Sequence, residues 1–502
     1  MPETAPAISA RPDGPPPFPA PDAGRLARNY LTLTAAEFLS KLITFFCFTW
    51  LGRVLGAERY GSLEFTLAVM AFFTLAADFG LGIFAAREIA QDPRLAPNLL
   101  RRVVRLRVLL ALACVAAVAV FVLLIRKPDE VRQLIMLYGL SLLAWPLALQ
   151  WFFQGHDRMD WVAGLSIVRQ AAFAALVFLF MRPGAPLAML GLFECASMLA
   201  VAAVGVFALR TRFGIRTAGW REPLPGLFSS LRQSAPIGLA ELTWAFLWYF
   251  ATVLLGFEKS DRSLGWFGAS HRVTMALHTF VWLYFVNLLP SMSRCVWRAR
   301  EDMSLLMNRS LRVAAWSSVF VAFTVTVFSE RLLTLAYGAE FAPADRLLSV
   351  LVWMVPVAML SGHYRYTLIA ANLQRYLLGA AAAGAAVAVL ASFVLIPRVG
   401  AHGAAVSLLA ACTVEFAVAF LFVRRRVGRF PFFPALFRPA ASVALSLACY
   451  FVVARWSSLA ASFAAAYLYL LQMAAWEWRD LRLLFSLAAA RFGLFLERRR
   501  EA

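Results

Sequence analysis

Residues 108–125 read VLLALACVAAVAVFVLLI, eighteen successive apolar positions closed by Arg126. Wound as an α-helix at ~1.5 Å per residue, such a run is about 27 Å long, the thickness of a bilayer's hydrocarbon core. Comparable runs recur from Tyr30 to Trp478. They predict spans at 30–52, 60–85, 104–125, 133–153, 160–181, 187–209, 232–257, 264–289, 310–329, 347–370, 376–396, 402–423, 439–455 and 457–476. The expected fold is an all-α integral membrane bundle of about 14 transmembrane helices.

Composition agrees. Of 502 residues, 62% are hydrophobic and 15% charged, against about 45–50% and about 25% in soluble domains. A water-soluble core cannot hide that apolar excess. The net charge of +20 comes from 48 basic residues, of which 45 are Arg. They fall in short segments between the apolar runs, so they mark topology, and no nucleic-acid partner is implied.

With the N-terminus inside, the segments assigned to the cytoplasm hold 33 basic residues and the outer ones 12. Lys41, Arg169 and Arg272 are left within spans. This bias predicts both termini in the cytoplasm. The organisation expected is a disordered N-terminal lead (1–27), an N-lobe of six spans (28–209), a cytoplasmic linker (210–231), and a C-lobe of six spans (232–423). Two further helices (424–476) and a basic tail (477–502) follow. The six cysteines are scattered singly, which suggests neither a disulfide framework nor a metal site.

No P-loop, H-E-x-x-H or G-x-S-x-G is present, and no cofactor or enzymatic activity is expected. Ionisable residues at membrane depth remain, and these are costly unless they face a cavity or a partner. They are Glu37 and Lys41 in span one, Glu64 and Asp78 in span two, Arg169, Glu194 and Glu241. His271, Arg272 and His278 follow in span eight, then Arg365 and Glu415. Glu37 and Lys41 share a helix face and could neutralise each other. Glu64 and Arg365 lie near span ends and could snorkel. Arg169 and Arg272 keep their charge at any pH and need an anion or water. Such a cluster predicts a polar cavity in a secondary transporter of an anionic substrate. Asp78, Glu241 and His278 are candidates for ion coupling, with Glu241 alternatively paired to Arg169 or Arg272.

Several segments carry a family resemblance. Gly52-Arg53-Val54-Leu55-Gly56 through Tyr60-Gly61 resembles the G-R-x-L-G-x-x-x-Y-G element of polysaccharide flippases. Those are the Wzx-type members of the multidrug/oligosaccharidyl-lipid/polysaccharide exporter superfamily. Asp78-Phe79-Gly80-Leu81-Gly82 with Arg87 to Ala90, Trp151 to Gly155, Leu289 to Arg294, Tyr337 to Phe341, and Pro397 to Ala405 are similar to further elements of that family. His156 stands where an acidic residue often follows, so no role is carried to it.

The resemblance implies two six-helix lobes around a central cavity that opens to alternate faces. It further implies a flippase in polysaccharide biosynthesis, for lipopolysaccharide O-antigen or exopolysaccharide units, in a bacterial inner membrane. The substrate would be a lipid-linked oligosaccharide on undecaprenyl pyrophosphate, and the partners membrane lipids and other polysaccharide-assembly membrane proteins. Arg53 is the substrate-binding cation transferred by motif; Lys41, Arg169 and Arg272 are inferred from depth. The alternatives are a drug:cation antiporter of the same superfamily, a lipid II flippase, or a polysaccharide polymerase or ligase.

Overall fold

A helix of 58 residues would be roughly 87 Å long, almost three times the hydrocarbon thickness. The stretch Thr34–Gln91 has that length and is broken in two places. In the computed structural model, which describes residues 23–213, 226–298, 300–430 and 432–477, α1 (Ala23–Asp78) turns at Gly56, with φ 70° and ψ 172°. That conformation is open to glycine and strained for any residue with a Cβ. Phe79 and Gly80 then take positive φ (44° and 74°) and separate α1 from α2 (Leu81–Gln91). Span two therefore ends at Asp78, several residues before the sequence-based boundary at 85.

The remaining helices are α3 (Ala96–Leu124), α4 (Asp129–Leu140), α5 (Gln150–Gly155), α6 (Met159–Phe180), α7 (Ala188–Phe213), α8 (Leu227–Glu258), α9 (Asp261–Arg298) and α10 (Arg300–Tyr337). After these come α11 (Asp345–Leu351), α12 (Met354–Ala370), α13 (Gln374–Val399), α14 (Ala401–Arg426), α15 (Phe432–Val453) and α16 (Ser458–Trp476). Among the described residues, thirteen stretches are long and apolar enough to cross a membrane, and the first is divided at Gly56. The chain is an all-helical, multi-pass membrane protein with about fourteen crossings. Span four is not one helix, because short 3-10 turns at Ser141–Leu143 and Trp145–Leu147 lie between α4 and α5. The lead at 1–22, most of the linker (214–225) and the tail at 478–502 lie outside the described residues.

Loops expected on one side of the membrane do meet at one end, here termed the Gly56 end. Arg59 donates to the Ala185 carbonyl at 2.7 Å and pairs with Glu130, whose Oε1 also accepts from Leu187 N at 2.9 Å. Ser62 Oγ donates to Asp261 at 2.7 Å, and Lys127 pairs with the same carboxylate. Lys259 Nζ reaches the Pro397 carbonyl at 2.9 Å. At the opposite end, the Asp78 end, Glu477 gathers Trp316 Nε1 at 3.1 Å with Arg312 and Arg438, each at 3.4 Å, fastening α15 and α16 to α10.

Candidate functional site

Two of the family-like segments are each other's partners. Tyr60 packs edge-on against Tyr337 and Phe341, with ring centroids 5.8 Å away in both cases. Glu340 accepts from Ala57 N at 3.1 Å, at the first free amide after the Gly56 break, where a helix N-terminus favours a carboxylate. Trp266 Nε1 donates to the Glu340 carbonyl at 2.9 Å. A Cβ on Gly61 or Gly265 would collide with the carbonyl of Asp261 or Ala57 respectively, so α1 and α9 approach here to backbone contact. Gly52–Gly61 and Tyr337–Phe341 thus close the Gly56 end between the first and second halves of the chain. A gap of about 500 Å³ lined by Arg53, Gly56, Tyr337 and Glu340 remains in that seam.

Arg53 belongs to this seam. Its Nε donates to the Ala336 carbonyl at 2.7 Å and its Nη2 to Leu335, which caps the end of α10. The guanidinium is thereby committed to a helix terminus.

Deeper in the bundle, Arg272 of α9 pairs with Glu64 of α1 and lies over the Phe48 ring, its Cζ 3.4 Å from the centroid. Glu64 is buried rather than snorkelling, and Gly268 makes the room, since a Cβ there would strike the Glu64 side chain. Arg169 of α6 donates from Nη2 to Glu194 Oε1 of α7 at 2.6 Å. The side chain of Arg169 is 37% open, that of Glu194 8%, and Arg169 Nε has no partner. Phe48, under the Arg272 guanidinium, stacks on Phe173 of α6, one turn from Arg169, with ring centroids 6.3 Å apart. The structure therefore brings Arg169 and Arg272 into one neighbourhood. Each is steadied on one side by a carboxylate and left partly open, an arrangement that can receive an oxyanion through a fork of N–H donors.

Lys41 is exposed on α1, and among the described residues no ion pair joins it to Glu37. Next to it on the same helix, Thr44 Oγ1 donates to Gln170 at 3.1 Å.

The ion-coupling candidates separate. Asp78 pairs with Arg107 of α3 and accepts weakly from Gly82 N at 3.4 Å. Arg107 is 5% open, donates to the Ala148 carbonyl at 3.2 Å and lies 5.5 Å from the Trp151 ring. Glu241 of α8 lies one turn after Gly238, whose N would be 2.6 Å from a Cβ on Gly80. Its charged neighbours are Asp78 and Arg107, which corrects the expected pairing with Arg169 or Arg272. Helix phase explains the difference, since Glu241 faces the α1–α2 turn. His278 packs on Trp248 at 5.2 Å. Arg107 was missed by sequence reading because it ends a basic run, Arg101-Arg102-x-x-Arg105-x-Arg107, that marks a membrane edge. The segments 78–90 and 151–155 meet here: Gly155 backs onto Ile89, as Gly82 leaves room for the Arg107 guanidinium.

A family model described as "Polysaccharide biosynthesis protein" matches residues 26–296. A curated relative from Escherichia coli (strain K12), described as "Putative O-antigen transporter", is 22% identical over 293 residues, 57% of this chain and 69% of the relative. Among solved structures, lipid II flippase MurJ in an inward closed conformation aligns with a TM-score of 0.73 over 90% of this chain and 99% of that one, at 14% identity. An inward-facing multidrug resistance MATE family transporter of the MOP superfamily aligns with a TM-score of 0.62 over 77% and 94%, also at 14% identity. At such identities the likeness is one of fold.

Proposed function

Because this chain belongs to the polysaccharide biosynthesis protein family and has the fold of MOP-superfamily transporters, we propose that it flips oligosaccharide units linked to undecaprenyl pyrophosphate. They move from the cytoplasmic to the periplasmic leaflet of a bacterial inner membrane by alternating access. The Gly56 end is then periplasmic, both termini are cytoplasmic, and the closed seam bars the periplasmic face while substrate loads from the other.

The observation that carries this reading is the state of the deep arginines. Glu64, Asp78, Glu194 and Glu415 each pair with an arginine, so these deep carboxylates are not free to hold a cationic drug. Arg169 and Arg272 keep open surface, and Lys41 is exposed. A cavity of that sign suits a diphosphate. Sugars cannot cross hydrocarbon without losing hydrogen bonds at several kcal/mol each, whereas a wet groove lets them pass with the lipid tail still in the bilayer. Two negative charges moving outward across 100 mV, inside negative, gain roughly 4–5 kcal/mol.

The test is surface polysaccharide in a strain complemented with variants. Arg169→Ala and Arg272→Ala should abolish display at wild-type protein abundance, and Arg169→Lys should restore part of it, since an ammonium keeps the charge without the fork. Full display by both Ala variants at normal abundance would exclude the role.

A further inference from the structure

A second arginine has the same setting in the other half of the chain. On α12 no residue is fully exposed, so this helix is interior to the bundle. Its partly open positions include Ala358, Arg365, Tyr366 and Ile369. Seven, eight and eleven residues separate the first from the others, which is one helix face. An open stripe on an enclosed helix faces an internal groove rather than lipid.

Arg365 lies on that stripe, about a turn and a half before α12 ends at Ala370. Its Nε is 3.4 Å from Glu415 Oε1, outside hydrogen-bond geometry, and is enclosed by protein. The side chain is nevertheless 35% open and that of Glu415 7%, so the open surface lies toward the guanidinium tip. Among the described residues Arg365 donates no hydrogen bond. His278 of α9 and Cys412 of α14 are also close to it, and neither is a carboxylate. Neutralising Glu415 requires a nearby positive charge; it does not require a guanidinium tip left open with its donors unfilled. Arg169 beside Glu194 repeats the arrangement in the first half, at 37% and 8%.

We infer that Arg365, positioned by Glu415, is a further anion-binding group beyond Arg169 and Arg272, close to the Ala370 end of α12, and that it receives the diphosphate of the incoming lipid. This rests on the anionic-substrate reading above and adds a further residue that meets the anion.

Binding to the purified protein in nanodiscs tests it, by quenching of tryptophan fluorescence with undecaprenyl diphosphate, undecaprenol and phosphatidylglycerol as probes. Arg365→Ala with Glu415→Gln removes both charges together, so thermal stability should stay near wild type. This double variant should bind the diphosphate at least tenfold more weakly and the alcohol unchanged. Arg365→Lys, which keeps the charge but loses the fork, should fall between, and it provides the readout if the double variant does not accumulate. Wild-type affinity for the diphosphate in either stable variant would reduce Arg365 to a counter-ion of Glu415 and overturn the inference alone. Equal competition by phosphatidylglycerol would assign the site to membrane anions and overturn it too. A wild-type protein that does not separate the diphosphate from the alcohol would bring down both this inference and the anionic-substrate reading.

Discussion

At Arg107 the charge has a structural duty. It is enclosed, pairs with Asp78, caps the carbonyl of Ala148 and covers Trp151. Removing one member of a buried pair leaves the other uncompensated, at a cost on the order of 3–5 kcal/mol. Arg107→Ala should therefore lower accumulation and thermal stability sharply, and adding Asp78→Asn should recover much of both. A double variant no more stable than Arg107→Ala would contradict the pairing. Glu241 differs, since among the described residues it has no ion pair of its own and it faces an Asp78–Arg107 pair that is already neutral overall. We propose it as the group that exchanges a proton. Glu241→Gln should fold normally and transport without regard to an imposed pH gradient, while wild-type flux responds. If wild-type flux ignores the gradient, Glu241 has no such role. Sequence alone could rank these residues by depth, which is how Arg169 and Arg272 became candidates. It could not assign partners, because pairing depends on helix phase across neighbours that are far apart in the chain, as Glu64–Arg272 and Asp78–Arg107 illustrate.

Elements are bounded by backbone conformation more than by hydropathy. The apolar run through span two continues past Asp78, so hydropathy extended the span to 85. The chain nevertheless breaks at Phe79 and Gly80 because both take positive φ. Gly80 is fixed twice, by φ 74° and by contact with Gly238, where a Cβ would lie 2.6 Å from N. Gly80→Ala should cost on the order of 1–3 kcal/mol, read as a lower melting temperature in detergent, whereas Gly164→Ala, which meets open space on α6, should change little. Equal effects would argue against the α2–α8 contact. The kink at Gly56 was likewise not separable from a loop by composition, although Gly56 stood in the quoted motif. Number and order of the spans were legible because each is long and predominantly apolar. The interruption of span four by 3-10 turns was not, since Pro146 signals an end without showing how the chain resumes.

For the whole molecule, the contacts gather alternate loops at two opposite ends, as successive spans of a helical bundle require. Which end is cytoplasmic is the remaining proposal. Arg126→Cys and Arg425→Cys, each in a background lacking the six native cysteines, can be treated with an impermeant thiol reagent in intact cells. Position 126 should label and 425 should not; the reverse would invert the orientation. The seam at the Gly56 end couples the two halves through Ala57–Glu340, Tyr60–Tyr337 and the α1–α9 glycine contacts, and the alternating access proposed above would have to part them. The most direct measurement is leaflet transfer in proteoliposomes holding the purified protein and a fluorescent oligosaccharide on undecaprenyl diphosphate, with outer-leaflet label destroyed by a membrane-impermeant reductant. Wild-type vesicles should expose nearly all the label over time, vesicles with Arg169→Ala only the half that begins outside, and a cationic drug should not be carried. Wild-type vesicles that stop at half, or that move the drug instead, would contradict a lipid-linked oligosaccharide as the substrate.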